Sequence, residues 1–154
     1  MLILGRFTDE RKPVLDTLRE QLRKLYLLPI LFDFAIPARR DVTETIKTLA
    51  SLARFVIADI TDAMEVRVEL NNIVRDFPSL PIQPILLREH PEFVSLSHSM
   101  KFPWVVPIFE YDHPAHLLAG LDKSIIAPEA KVKALKEALE EGRRKIEAEL
   151  TKPQ

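Results

Sequence analysis

The sequence predicts an α/β fold: a flavodoxin-like three-layer sandwich with a parallel sheet of about five strands, plus a C-terminal amphipathic helix. Three observations support this prediction. Short apolar runs alternate with segments of helical periodicity, the connections between them are short, and residues 55–60 are apolar at nearly every position. A continuous apolar run is typical of a strand that is buried on both faces of a parallel sheet.

Local signals predict the order of the elements. Thr8 can cap the first helix, and a capping box that begins at Asp41 starts a second helix that runs to about residue 53. A third helix is predicted over residues 64–75. Pro84 lies inside the fourth strand and indicates an edge position or a bulge, because proline has no N–H to donate. The strands are predicted at residues 2–5, 28–34, 55–60, 82–87 and 104–109.

Composition limits the class of protein. A chain of 154 residues suits one globular domain, and a net charge of -1 argues against nucleic acid as the main partner. The absence of cysteine excludes a disulfide framework, a cysteine nucleophile and a thiolate metal site. No apolar run is long enough for a signal peptide or a membrane span, so we expect no membrane partner and a cytoplasmic location.

The C-terminal segment has a different pattern from the rest. We predict an α/β domain over residues 1–125, followed by an amphipathic helix and tail over residues 126–154. The helix carries an apolar stripe at spacings of three and four residues, which consists of Val132, Leu135, Leu139, Gly142 and Ile146. The stripe can pack back on its own domain or against a second copy in a homo-oligomer, and the sequence leaves both open.

Several common chemistries find no support in the sequence. The three glycines, at positions 5, 120 and 142, provide neither a dinucleotide-binding fingerprint nor a P-loop. The histidines do not follow a zinc-binding pattern, so we expect no metal site. Arg39 and Arg40 precede the second helix, where they can meet a phosphate or form a solvated pair.

Carboxylates gather after the third strand. This strand leads into Asp59, Thr61 and Asp62, and Glu69 follows ten residues after Asp59 on the next helix. Ligands bind at the carboxyl ends of strands in open parallel sheets, so these groups are candidates to hold a ribose and assist cleavage at its anomeric carbon. In the alternative interpretation Thr61 or Asp62 caps the helix, and Glu69 is a solvated helix residue.

These residues also carry a resemblance to known families. The strand end Ala58-Asp59-Ile60-Thr61 and the helix pair Glu69-Leu70 resemble the Ala-Asp-Leu-Thr and Glu-Leu-Gly motifs of nucleoside 2-deoxyribosyltransferase-like proteins and related bacterial TIR-like domains. Asn71 stands where those families have glycine. The resemblance implies that Glu69 is the catalytic carboxylate and that Asp59 binds the base or the ribose.

The resemblance further implies a nucleotide or nucleoside as the small-molecule partner. Cleavage of an N-glycosidic bond, most of all that of NAD as substrate, is the expected activity, and no cofactor is expected. The alternative is a non-catalytic interaction module that assembles through surface helices. The first-strand loop is expected to pack against the nucleoside ring, and the full set of expected substrate-binding residues is Gly5, Arg6, Phe7, Asp33, Asp59, Thr61 and Asp62.

Overall fold

The computed structural model describes residues 1–34, 41–61, 64–88 and 101–150. In the last range it describes only the backbone of residues 122–129, 131, 132, 135, 139 and 149. The described elements alternate as expected. In chain order they are β1 (Leu2–Gly5), α1 (Lys12–Lys24), β2 (Ile30–Asp33), α2 (Val42–Ser51), β3 (Val56–Asp59), α3 (Met64–Asp76), β4 (Ile82–Leu87), β5 (Phe109–Tyr111) and α4 (Pro114–Leu150).

The five strands form one sheet in the order β2-β1-β3-β4-β5, and all neighbouring pairs are parallel. Alternate residues of β1 point to opposite faces of the sheet. Leu2 and Leu4 join the core under α2 and α3, whereas Ile3 joins the core under α1 and α4. Helices therefore cover both faces, which confirms the predicted three-layer flavodoxin-like sandwich.

The first helix begins later than the sequence predicted. Thr8 caps a preceding turn, in which its hydroxyl and carbonyl oxygens both accept from Arg11 N, and α1 starts at Lys12. Pro13, the second residue of α1, has no N–H to bond to a carbonyl of the preceding turn, so the regular helix begins only after that turn. Arg11, directly before α1, is only 7% exposed, and its side chain points into the carboxyl edge of the sheet.

Pro84 lies in an internal strand, so the edge position was wrong, whereas the alternative, a bulge, agrees with the register: from Ile82↔Val105 to Ile85↔Phe109 the β5 side has one extra residue. Alternate residues of a parallel strand bond to opposite neighbours, and Ile82 bonds on the β5 side, where Pro84 also faces. The ladder on that side is interrupted between the bridge at Val105 and the start of β5 at Phe109. The Gln83 side chain donates to the carbonyl oxygens of Pro84 and Pro107 across this interruption. The fifth strand, predicted over residues 104–109, is instead Phe109–Tyr111, with an isolated bridge at Val105 before it.

Helix α4 has 37 residues, a length of about 55 Å, and it runs through the boundary that the sequence analysis placed at residue 125. Its first turns contribute Leu117 and Leu121 to the core beside α1. From Ala130 onward, the side chains that the structure describes are exposed, with Gly142 half-buried. Ile146 is 61% exposed and Leu150 is 80% exposed. None of the helices in the described ranges is both long and apolar enough to cross a membrane.

Candidate functional site

The strand order creates a crevice where chain connections diverge. β1 leads to β2 on one side and its other neighbour is β3, so the crevice lies between the carboxyl ends of β1 and β3. Gly5 ends β1 there and Asp59 ends β3. A Cβ atom on Gly5 would lie 2.9 Å from Leu15 Cδ1 and 3.7 Å from Asp59 Cβ, so glycine permits a close approach of β1, α1 and β3.

Asp59 is 1% exposed, and both of its carboxylate oxygens accept hydrogen bonds from the protein. Oδ2 accepts from Arg11 Nε at 3.0 Å and from Arg11 Nη2 at 2.6 Å. Oδ1 accepts from Thr61 N at 3.1 Å. A buried carboxylate needs such donors, because an unpaired charge in the interior is strongly unfavourable. These contacts support the interpretation that Asp59 holds the turn after β3.

Tyr111 completes this group from β5. Its ring is fully buried, Arg11 Nη2 donates to its hydroxyl, and the guanidinium carbon lies 5.7 Å from the ring centroid. Burial raises the pKa of Tyr111, and the negative charge of Asp59 raises it further. Burial acts to lower the pKa of Arg11, but Asp59 and Tyr111 outweigh that effect and the pKa is raised. Arg11, Asp59 and Tyr111, hereafter the buried triad, occupy the side of the crevice that faces α1 and α4.

Glu69 lies on the opposite side of the sheet, in the first half of α3. Its side chain is half-buried. Oε1 accepts from Thr43 Oγ1 of α2 at 2.8 Å, and Oε2 accepts from Asn72 Nδ2 at 3.2 Å. The pKa of Lys47 is raised, first by its hydrogen bond to Asp76 and in smaller part by Glu69. Glu69, the sixth of the 13 residues of α3, therefore faces the first turn of α2, the helix that starts at the carboxyl edge of the sheet.

The first-strand loop meets β2 at the same edge. The backbone N–H of Phe7 donates to Asp33 Oδ1 at 3.0 Å, where Asp33 is the last residue of β2. Phe7 is half-buried and Arg6 is exposed. The structure thus brings together two of the residues that the sequence analysis expected to bind substrate.

Five of the eight expected site residues are found in three hydrogen-bonded groups along this edge, and Gly5 and Arg6 belong to none of the three. Phe7 pairs with Asp33, Asp59 pairs with Thr61, and Glu69 pairs with the helix α2 through Thr43. Asp62, like Arg39 and Arg40, lies outside the described residues.

Sequence reasoning missed several members of the site. Arg11 stands in the charged run from Asp9 to Lys12, which is typical of a solvated surface, and Tyr111 is far from it in the chain. Their pairing with Asp59 depends on tertiary structure and leaves no local signal. Arg67, also only 7% exposed, lies on the buried side of α3, and its position two residues before Glu69 could have drawn attention.

A cavity of about 260 Å³ lies along α2 and is lined by Asp41, Glu44, Thr45, Thr48 and Leu49. It does not include Glu69. Within the described part of the chain, no three histidine, aspartate or glutamate side chains are grouped so that they could hold a metal ion.

The fold and the strand-end carboxylates define a doubly wound parallel α/β domain with a candidate ligand edge at the β1/β3 crevice. Among solved structures, the chain is similar to the TIR domains in a structure of the activated Roq1 resistosome directly recognising the pathogen effector XopQ. The two share 17% sequence identity with a TM-score of 0.45, over 86% of this chain and 81% of that chain. No family model matches the chain, and no curated protein shows significant similarity.

Proposed function

We propose that this protein cleaves the N-glycosidic bond between nicotinamide and ribose in NAD, with Glu69 as the catalytic carboxylate. The observation that carries the proposal is the setting of Glu69. It is an acidic side chain at the carboxyl edge of the sheet, half-buried and held in place by Thr43 and Asn72. The strand-end and helix motifs that carry the resemblance to N-glycosidic enzymes include this residue.

Cleavage of this bond requires one negative charge beside the ribose. Nicotinamide carries a positive charge while it is bound to ribose and leaves as a neutral molecule, so its departure requires no proton. The ribose becomes cationic as the bond breaks, and a fixed carboxylate stabilises that charge in the transition state. Water then forms the new bond to the anomeric carbon and releases a proton, which yields nicotinamide, ADP-ribose and a hydrogen ion.

The hydrogen bonds to Glu69 fit this role. A carboxylate has about four acceptor positions, and Thr43 and Asn72 use two of them. Both donors are neutral; among the described cations, Lys47 is close enough to interact with the charge of Glu69, but its hydrogen bond goes to Asp76. In this proposal Arg6, Phe7 and Asp33 form the neighbouring wall that receives the nucleotide, whereas Asp59 supports the wall from behind.

The proposal is tested by incubating the purified chain with NAD over a wide range of protein concentrations and measuring released nicotinamide. Glu69→Gln should lower the rate about 100-fold or more, because the developing positive charge loses its partner. The matched control is Glu65→Gln, which makes the same change at an exposed position of α3. Equal rates for Glu69→Gln and the unmodified chain would overturn the assignment of Glu69. An inactive wild-type chain at every concentration would overturn the proposed activity.

A second candidate function is an interaction module, and the second half of α4 favours it. Its described side chains lie outside the domain core, and among them Ile146 and Leu150 are exposed. Exposed apolar residues on an otherwise charged helix are typical of a surface that another helix covers. If the chain assembles in solution and Glu69→Gln assembles equally well, catalysis and assembly are separate properties of this fold.

A further inference from the structure

The loop between β1 and α1 is a segment whose position needs an explanation. It starts after the buried Gly5 and ends at the buried Arg11. Between them Arg6, Asp9 and Glu10 are exposed, so these side chains do not hold the loop against the core. Phe7 packs against the core under α1 and α4 but is only half-buried, so the loop is expected to open easily unless further contacts tie it down.

Two contacts tie the loop at its ends. Near the start, Phe7 N donates to Asp33 Oδ1 at 3.0 Å. At the other end the Arg11 guanidinium bonds to Asp59 through Nε and Nη2, while Arg11 N donates to Thr8 Oγ1 at 3.3 Å. The first contact is half-buried and the second is buried. The buried end is thus the stronger candidate for setting the position of the loop.

Tyr111 also binds the guanidinium, through the same Nη2 that donates to Asp59. It lies on β5, two strands from β3, and its hydroxyl accepts from Arg11 Nη2. Thr61, whose N–H donates to Asp59 Oδ1, also accepts through Oγ1 from Leu87 N of β4 at 3.0 Å. The network therefore connects the loop with β3, β4 and β5.

The cost of burying these charges indicates that the network fixes the position of the guanidinium more than it stabilises the fold. Desolvating an arginine and an aspartate is expensive, and apolar side chains of similar volume often stabilise a core as well or better. The two-point contact of Arg11 with Asp59, in contrast, fixes both the distance and the plane of the guanidinium.

We propose that Arg11 and Tyr111 are positioning residues, which act through Asp59 to hold the β1–α1 loop, and with it Phe7, in the place where the nucleotide is received. The proposal rests on the proposed function only for its kinetic test. Phe7 packs against the core under α1 and α4, the face that also holds the buried triad, so the loop borders the crevice from that side, and Glu69 borders it from the side of α2 and α3.

The chain provides a matched pair of variants, because it has two tyrosines. Tyr111→Phe removes the hydroxyl that binds Arg11 and keeps the ring in the core. Tyr26→Phe makes the same change at a fully exposed residue. We expect Tyr111→Phe to speed amide hydrogen exchange of Phe7 and Thr8 about tenfold, while Tyr26→Phe leaves it unchanged.

The kinetic test uses the same two variants with NAD. Tyr111→Phe should raise KM about fivefold and leave kcat within about twofold, because Glu69 is untouched and the loop contributes to binding. Arg11→Lys keeps the positive charge near Asp59 but loses the two-point contact, so it should behave like Tyr111→Phe. Full retention of loop exchange rates and KM in Arg11→Lys would show that charge alone suffices, and would overturn the proposal.

If Tyr111 has a purely structural role, the same measurements give a different result. Tyr111→Phe would then lower the unfolding midpoint, while KM and the exchange of the loop amides below that midpoint stay as in the unmodified chain. That result overturns the proposal. The exchange measurement requires no turnover, so an inactive wild-type chain would count against the proposed function and leave the test of the loop intact.

Discussion

Asp59 and Glu69 belong to the same strand and helix unit, but the two faces of the sheet give them opposite surroundings. On the face covered by α1 and α4, Asp59 is buried against a cation and a phenol. On the face covered by α2 and α3, Glu69 is half-buried and accepts from a hydroxyl and an amide. Proximity to the ligand edge therefore does not determine the role of a carboxylate.

The two carboxylates differ in how much of their charge and acceptor capacity is left free by their partners in the protein. The charge of Asp59 is matched by Arg11 in a place that water does not reach, so separating them is unfavourable. Glu69 keeps free acceptor capacity and contact with solvent. One carboxylate is suited to holding the fold together, and the other is suited to meeting a positive charge that arrives with a substrate.

The largest expected effect is the loss of stability on changing Asp59→Asn. The substitution keeps the shape and removes the charge, so Arg11 remains buried without its counterion, and we expect a loss of about 3–5 kcal/mol in the free energy of unfolding. Urea denaturation measures this loss. Asp16→Asn is the control, because Asp16 pairs with Arg19 at 3.3 Å on the surface, where a salt bridge contributes about 1 kcal/mol or less.

The same experiment on Glu69→Gln can contradict the comparison. A half-exposed residue with neutral donors should lose only about 1 kcal/mol. If Glu69→Gln and Asp59→Asn destabilise the protein equally, the two faces do not differ in the way described, and Glu69 is as structural as Asp59.

The second-largest effect on stability is expected at alkaline pH. Because the pKa of Tyr111 is raised in the folded protein, the folded state holds the phenol proton more tightly than the unfolded chain does. The resulting stability is complete below the ordinary tyrosine pKa of about 10 and is lost as the pH rises through the folded pKa. The loss reaches at most about 1.4 kcal/mol per pH unit for one group.

Urea midpoints at about pH 9 and about pH 11 measure this contribution. Other side chains also change charge in that range, so the informative quantity is the difference between the unmodified chain and Tyr111→Phe. The variant should lose less stability between the two pH values. Equal losses in both proteins would show that Tyr111 is not linked to folding in this way.

The sequence was sufficient for the fold because the fold depends on periodic patterns. Alternation of apolar strands with amphipathic helices predicted the layers, and β1 and β4 have the predicted bounds. The errors occurred where a contact between distant residues decides a local feature. Arg11, at the end of the turn before α1, is bound by Asp59 of β3, and Pro84 is tolerated inside the sheet because the ladder to β5 is interrupted there.

The residues of the candidate site likewise divide into those with a local sequence signal and those that only tertiary contacts bring together. Glu69 and Asp33 could be selected as candidates because Glu69 lies on the helix that follows a strand end with carboxylates and Asp33 lies near the end of a predicted strand, which are local properties. The buried triad could not, because it joins residues from β5, β3 and the start of α1. Charged residues are rarely buried unless they are paired, and a single sequence does not reveal the pairs.

A smaller effect is expected from Thr43→Val on the face of α2 and α3. Valine matches the shape of threonine but removes the hydroxyl that donates to Glu69 at 2.8 Å, and we expect a loss of about 0.5–1.5 kcal/mol. Thr48→Val is the control on the same helix, because its hydroxyl bonds only locally, to Glu44 O. If Thr43 also orients Glu69 for catalysis, Thr43→Val will lower the rate of NAD cleavage and Thr48→Val will not.

The smallest effect on stability is expected from a truncation after Ala130, which separates the two halves of α4. The first half supplies Leu117 and Leu121 to the face that holds the buried triad, whereas the described side chains beyond residue 130 lie outside the core. We therefore expect the free energy of unfolding to change by less than about 0.5 kcal/mol. A larger loss would show that the second half packs on the domain, and the comparison would have to include it. Light scattering on the same truncated chain tests the interaction module: a lower mass than that of the full chain means that the second half of α4 binds another copy.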